Sequence, residues 1–310
     1  MYAEALLKKA DAWRLSARRV SQIKEKAIES LLLFAALTSM AVTVGIVGIL
    51  VYESTSFFQE VWLWDFLTDR QWTPLFSEPH YGILPLVSGT LVTTAVALAV
   101  AVPLGSLIAI YLSEYASPGT REVVKPGLEL LSAVPTVVYG YFALLFVTPA
   151  LQTLWSDLPG FNMLSAGLVI GIMIVPSVSS VSEDAMRAVP VHLREGAFAL
   201  GATRMQTALR VVFPSALSGI TAAYILGISR AIGETMVVAI AGGMQPTLTW
   251  NPLEPAATMT TYIVQVSLGD LPHGSVGYQT IFATGLTLLL MTLLFNIAGH
   301  ALKKRYRQVY

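Results

Sequence analysis

Apolar residues in this chain run together in long blocks, separated by shorter segments that hold nearly all of the charge. A helix rises about 1.5 Å per residue, so roughly 20 apolar residues are needed to cross about 30 Å of hydrocarbon. Six windows reach that length: Ile28 to Tyr52, Leu86 to Leu112, Ala133 to Leu154, Leu164 to Ser182, Ile220 to Ala241 and Ile281 to Leu302. Pro103, Pro135 and Pro176 fall inside them and predict local kinks or breaks, because proline lacks an N–H and crowds the preceding turn. The pattern predicts an all-α integral membrane protein with six transmembrane helices.

Charge predicts the orientation, since Lys and Arg are retained on the cytoplasmic side while Asp and Glu have little influence. Lys8, Lys9, Arg14, Arg18, Arg19, Lys24 and Lys26 precede the first window, and Lys303, Lys304, Arg305 and Arg307 follow the last. Arg121 and Lys125 lie between the second and third windows, and Arg187, Arg194, Arg204 and Arg210 between the fourth and fifth. The three opposite connections together hold only Arg70. Both termini are therefore expected in the cytoplasm, which demands an even number of spans.

The expected organisation is a cytoplasmic N-terminal segment (1–27), a transmembrane domain (28–302) and a cytoplasmic tail (303–310). The first apolar run is too long for a signal-peptide core and reads as a retained span. Leu6, Leu7, Trp13, Leu15 and Ile23 stand among the leading basic residues. That segment is either an amphipathic helix lying on anionic membrane lipid or a tail that only fixes orientation. The connection from Glu53 to Ile83 is rich in Phe57, Phe58, Trp62, Trp64, Phe66, Trp72 and Phe76 and is expected to rest at the membrane interface, with room for a soluble partner.

Composition narrows the chemistry. Of 310 residues 55% are apolar and 12% charged, outside the usual range of a soluble domain, and the formal net charge of zero gives no field that would attract nucleic acid. Absence of cysteine removes disulfides, thiolate metal sites and a thiol nucleophile. His80, His192, His273 and His300 are scattered, which argues against a metal site. No nucleophile, base and orienting group form a recognisable enzyme motif, and no phosphate-cradling Gly-x-x-x-x-Gly-Lys occurs.

The connection at about 183–219 contains Arg194-Glu195-Gly196-Ala197-Phe198-Ala199-Leu200-Gly201-Ala202, continuing to Val211-Val212-Phe213-Pro214. The pattern predicts a short helix from Glu195, a left-handed cap at Gly201 and a second helix from Ala202 to Phe213. Ala197, Phe198 and Leu200 would then be apolar groups on a protrusion, as at a partner surface. The segment resembles the coupling loop of ABC importer permeases, with signature Glu-Ala-Ala, three residues, Gly, then nine residues to Ile-x-Leu-Pro. Glu195, Ala197, Gly201 and Pro214 match, while Gly196, Val211 and Phe213 are mild departures. The resemblance implies that Arg194, Glu195, Gly196, Ala197, Gly201 and Ala202 dock a cytoplasmic ATPase subunit. ATP and Mg are then expected on that partner, and no cofactor on this chain.

The fifth window holds Ser229-Arg230-Ala231-Ile232-Gly233-Glu234-Thr235. A charge near the bilayer centre costs about 2.5 to 3.5 kcal/mol even on gentle scales, so such groups face protein or water and mark substrate paths. Four residues apart on one helical face, Arg230 and Glu234 are expected to partner each other, with Arg230 offering a fork to an oxyanion and Glu234 partly neutralising it. A purely structural salt bridge is the competing reading. Thr136 and Tyr139 are further candidates for lining the path. Ser177, Ser179, Ser180 and Ser182 either hydrate it or bond to preceding carbonyls.

Tyr81-Gly82-Ile83-Leu84-Pro85-Leu86, Ala133-Val134-Pro135-Thr136-Val137-Val138-Tyr139-Gly140 and Arg230-Ala231-Ile232-Gly233-Glu234-Thr235 resemble the PstC-type subunit of the bacterial phosphate importer. The resemblance implies the type I permease fold in the inner membrane. It also implies a PstA-like permease partner, two copies of a PstB-like ATPase and a periplasmic PstS-like phosphate-binding protein. Arg230, Glu234 and Thr235 would belong to the phosphate path. The competing functions are a permease for sulfate or molybdate and, from another class, a membrane scaffold or signalling subunit that transports nothing.

Overall fold

The computed structural model describes the backbone of residues 2–272 and 274–305 and, apart from 2–21, 23 and 305, their side chains. The apolar side chains Leu6, Leu7, Trp13, Leu15 and Ile23, and also His273 and Arg307, lie outside the described set. Residues 1–53 form one compact unit and 54–310 another.

α1 runs Tyr2–Glu60 and α2 Leu63–Thr68; α3, Leu84–Ile110, ends in a π turn at Tyr111–Tyr115. α4 (Pro118–Ala133) is followed by α5 (Thr136–Phe142), which passes through a π turn into α6 (Thr148–Gln152). α7 is Met163–Arg187 and α8 Val191–Ala199; α9 (Arg204–Thr207) continues through a π turn into α10 (Phe213–Ser215). α11 (Leu217–Ile232), α12 (Met236–Ala241), α13 (Met259–Ser267) and α14 (Val276–Arg305) complete the order.

Among the described residues, four stretches are long and apolar enough to cross a membrane as single helices: Lys24–Glu60, Leu84–Tyr115, Met163–Arg187 and Val276–Lys304. Two bent pairs raise the number to six if each is one span: Pro118–Ala133 with Thr136–Gln152, bent by 87°, and Arg204–Ser215 with Leu217–Ile232, bent by 74°. The third and fifth windows are thus not simple rods. At the first bend Pro135 drives Val134 out of the helical region, to φ −66° and ψ 131°, as the ring of a following proline does. In contrast, α3 and α7 continue through Pro103 and Pro176.

α7 is the centre of the larger unit. Val169, Ile170, Met173, Ile174 and Val178 are buried against Ala97 and Ala101 of α3, Tyr139 and Ala143 beside α5, and Val237 and Val238 of α12. Without a hydrophobic drive between helices in lipid, close backbone approach through small residues carries the packing. A methyl group at Gly171 would stand 2.7 Å from the Ala97 carbonyl oxygen.

A second core corrects the expected surface segment. Phe57, Phe66 and Trp72 are buried with Ile83, Leu86 and Tyr262 instead of lying at the interface, while Trp62, Trp64 and Phe76 are exposed. Edge-to-face ring pairs link Phe57 to Phe66, Phe66 to Trp72 and Trp72 to Tyr262, with centroids 5.7, 6.2 and 5.0 Å apart. Such pairs add roughly 0.5–1.5 kcal/mol each beyond area burial, which favours folding the segment onto α13 and α14 over leaving it at the surface.

Candidate anion path and coupling surface

The fifth window breaks at Gly233-Glu234-Thr235, and that break reassigns its charges. Because α11 ends at Ile232, Arg230 and Glu234 no longer share a helical face, and among the described residues no ion pair includes Arg230. Arg230 instead donates from Nη1 to Ser177 Oγ on α7 at 2.7 Å. Ser229 beside it donates to Asn296 Oδ1 on α14 at 3.3 Å. The expected neutralisation of Arg230 by Glu234 does not occur.

Glu234 does other work. Its side-chain Oε1 accepts the amide N–H groups of Met236 at 3.1 Å and Val237 at 3.3 Å, so the carboxylate caps the start of α12. Its main-chain carbonyl accepts from Thr260 Oγ1 at 2.8 Å, tying the break to α13. A buried break in a membrane helix persists only where its freed backbone groups are satisfied in this way.

Tyr139 lies in the same buried cluster as Ala231, the chain neighbour of Arg230. Its hydroxyl donates to the Leu131 carbonyl of α4 at 2.6 Å, bridging the Val134–Pro135 bend. Thr136 opens α5 and is partly buried, as is Thr235, whose hydroxyl donates to the Gly233 carbonyl at 3.3 Å. α5 also approaches α12: a methyl group on Gly140 would meet Ile240 Cδ1 at 2.8 Å. Of the four serines Ser179 donates back to the Pro176 carbonyl at 3.1 Å, whereas Ser177 takes neither expected role and accepts from Arg230, and Ser182 Oγ is buried without a hydrogen bond.

The loop after α7 takes the expected hairpin form. α8 ends where Gly201 adopts φ +79°, and the Gly201 and Ala202 amides donate to the Phe198 and Ala197 carbonyls at 2.9 and 3.1 Å. The second helix begins two residues later than expected, at Arg204, because Thr203 and Gln206 form a capping box. It also runs through Pro214, with a π turn at Ala208–Val212 ahead of the proline. Glu195 and Gly196 are exposed, Leu200 is 91% exposed, and a groove of about 440 Å³ opens between Leu193, Ala197, Ala202 and Gln206. Arg194 turns inward: it meets Glu114 Oε1 at 3.0 Å and donates to the Met186 and Val189 carbonyls at 2.8 and 2.7 Å. These bonds anchor the hairpin and leave 17% of the Arg194 side chain exposed.

A second recessed surface lies in the segments before α7 and after α12. One cavity of about 440 Å³ is lined by Phe161, Met244, Gln245 and Pro255, and another of about 380 Å³ by Trp155, Asp157 and Leu253, with Pro159 common to both. Among the described residues no cluster of His, Asp and Glu suits a metal ion.

The family model for the binding-protein-dependent transport system inner membrane component matches residues 101–308. The chain belongs to this family. The permease is 38% identical over 241 residues to the probable ABC transporter permease protein YqgH of Bacillus subtilis (strain 168), covering 78% of each chain. It is 35% identical over 249 residues to the phosphate transport system permease protein PstC 1 of Mycobacterium tuberculosis, covering 73% of each. With PstC of Haemophilus influenzae the identity is 30% over 262 residues, covering 78% of the permease and 82% of the relative. Among solved structures, a bacterial ABC transporter involved in alginate import superposes with TM-score 0.63 at 17% identity, covering 93% of the permease and all of that chain. The MetNI methionine ABC transporter gives 0.54 at 18%, covering 73% and 95%. The fold is that of ABC importer permeases, and the permease is a multi-pass plasma-membrane protein.

Proposed function

We propose that the permease conducts inorganic phosphate inward as one membrane half of an ATP-driven importer. The observation that carries this reading is the state of Arg230. A guanidinium within an apolar span bonds to a neutral serine hydroxyl, with no carboxylate paired to it among the described residues, in a chain with relatives named phosphate transport permeases. Arginine presents several N–H donors in a planar fork, and one hydroxyl leaves donors free for an oxyanion. The seryl contact orients the fork without cancelling its charge, so attraction persists while binding stays weak enough for release.

The end bearing Arg121, Lys125, Arg187 and the α8 hairpin faces the cytoplasm in this reading, as the basic residues require. Glu195, Gly196, Ala197, Gly201 and Ala202 then form the docking surface for a PstB-like ATPase, present in two copies and binding ATP and Mg. Leu200 presents apolar surface to the same partner, and Arg194 holds the hairpin rigid. The cavities around Pro159 face outward and receive a PstS-like phosphate-binding protein. A PstA-like permease completes the path, and the exposed apolar flanks contact lipid. No catalytic group is needed on this chain.

The test is phosphate uptake by cells carrying Arg230→Gln, with complex assembly verified by co-purification of the ATPase. Uptake is expected to disappear while assembly is retained. Sustained uptake would refute the assignment of Arg230 to the path. Competition of wild-type uptake by sulfate or molybdate decides between phosphate and another oxyanion.

A further inference from the structure

α4 is held in place mainly by charge. None of its residues is fully buried, and Val123 and Leu130 are 74% and 70% exposed, so apolar burial contributes little to its seat. Its strongest tie runs to Glu183, whose side chain is wholly buried near the end of α7. Lys125 Nζ donates to Glu183 Oε2 and to Asp184 Oδ1, each at 2.8 Å. Arg121 Nε and Arg187 Nη1 both stand 3.6 Å from Glu183 Oε1, an oxygen that is buried without a hydrogen bond. Three cations from two helices thus converge on one carboxylate that would be intolerable in that position unpaired.

The consequence lies at the other end of α4. Beyond Leu131 the chain bends at Val134–Pro135, and Val134 packs against the apolar core around α7. The Tyr139 hydroxyl grips the last turn of α4 across this bend, so the direction of α4 determines where α5 begins. α5 carries Thr136 and Tyr139, and Tyr139 belongs to the same buried cluster as Ala231, the chain neighbour of Arg230. An apolar seat would hold α4 permanently, whereas a seat built on one carboxylate yields when a single charge pair is lost.

We propose that Glu183 is a positioning residue for transport: an ionic latch that fixes α4 on α7 and keeps the Val134–Pro135 elbow closed beneath the Arg230 path. The latch rests on the reading of Arg230 as part of that path, but its test does not require transport. The chain contains no cysteine, so a Val134→Cys reporter supplies its only thiol when the partner subunits are also made cysteine-free. Maleimide labelling is followed in the assembled complex without substrate. Glu183→Gln is expected to raise the labelling rate at least about tenfold, because removing one partner of a buried ion pair shifts a local opening equilibrium by more than that factor. Glu183→Asp, which keeps the charge, is expected to restore most of the protection. Unchanged labelling in an assembled Glu183→Gln complex overturns the latch. Where that variant fails to assemble, Lys125→Gln carries the test, since the Lys125 side chain is 27% exposed and Arg121 and Arg187 remain 3.6 Å from the Glu183 carboxylate when it is truncated. Unchanged labelling there overturns the latch equally. Persistent uptake in Arg230→Gln would refute the path assignment while leaving the labelling result standing, so the two proposals fail separately.

Discussion

Replacement of Glu234 separates two roles that a carboxylate near Arg230 could have. In the structure its Oε1 accepts two amides at the start of α12 and makes no ion pair with Arg230. Glu234→Gln keeps an oxygen acceptor in the same place and removes only the charge. The loss is the charge-assisted increment and the helix-dipole term, about 1 kcal/mol together, or roughly a fivefold shift in the local equilibrium that holds the break. Glu234→Ala orphans both amides in a group that is 91% buried, which costs about 2 to 4 kcal/mol at 1 to 2 for each unsatisfied donor. The assay is phosphate uptake alongside thermal inactivation of the purified complex. The capping role predicts that Glu234→Gln retains most uptake, while Glu234→Ala loses both uptake and thermal resistance. Loss of uptake in Glu234→Gln as complete as in Arg230→Gln, with thermal resistance unchanged, would refute capping and restore a direct role for the charge in the path.

Three further outcomes are expected away from the path. Gly201→Ala must hold a side chain at φ +79°, a cost of about 1 to 2 kcal/mol with no steric clash around it, and should weaken ATPase retention in pull-downs. Gly196→Ala, in open space within α8, should leave retention equal or improved, because alanine favours the helix by about 0.5 to 1 kcal/mol. In the connection before α3, burial pushes the Asp69 carboxyl up, but hydrogen bonds from His80 and the Gln71 amide outweigh it and hold the group below its ordinary 3.8. A carboxylate depressed in the folded state stabilises it above the ordinary value and loses that contribution as pH falls through the folded value. Asp69→Asn should therefore flatten the decline of thermal resistance below about pH 4, measured by inactivation across an acid series.

Long apolar runs made the helical class and the membrane location legible, because hydrocarbon permits a spanning backbone only when its polar groups are satisfied internally. The spacing from Glu195 through Gly201 to Pro214 likewise made the α8 hairpin legible, since a left-handed glycine and flanking caps are local backbone chemistry. Pro135 marked the third-window bend for the same reason, although its 87° angle could not be read from it.

Contacts between distant segments were a different matter. The periodicity of one window places Arg230 and Glu234 together only if the helix is continuous, and at the observed break the Glu234 side chain takes the Met236 and Val237 amides while Thr260 on another helix holds its carbonyl. Glu183 was visible only as an acid at the end of an apolar run, and Arg121 and Lys125 only as markers of orientation. Their convergence depends on how α4 lies on α7. Phe57, Phe66 and Trp72 carry the composition of an interfacial belt and became core because α13 offered Tyr262 to pack against. Sequence by itself determined what is local, namely hydrophobic length, caps and proline breaks. Tertiary structure alone decided which charges meet and which aromatics are covered, because those energies depend on partners tens of residues away.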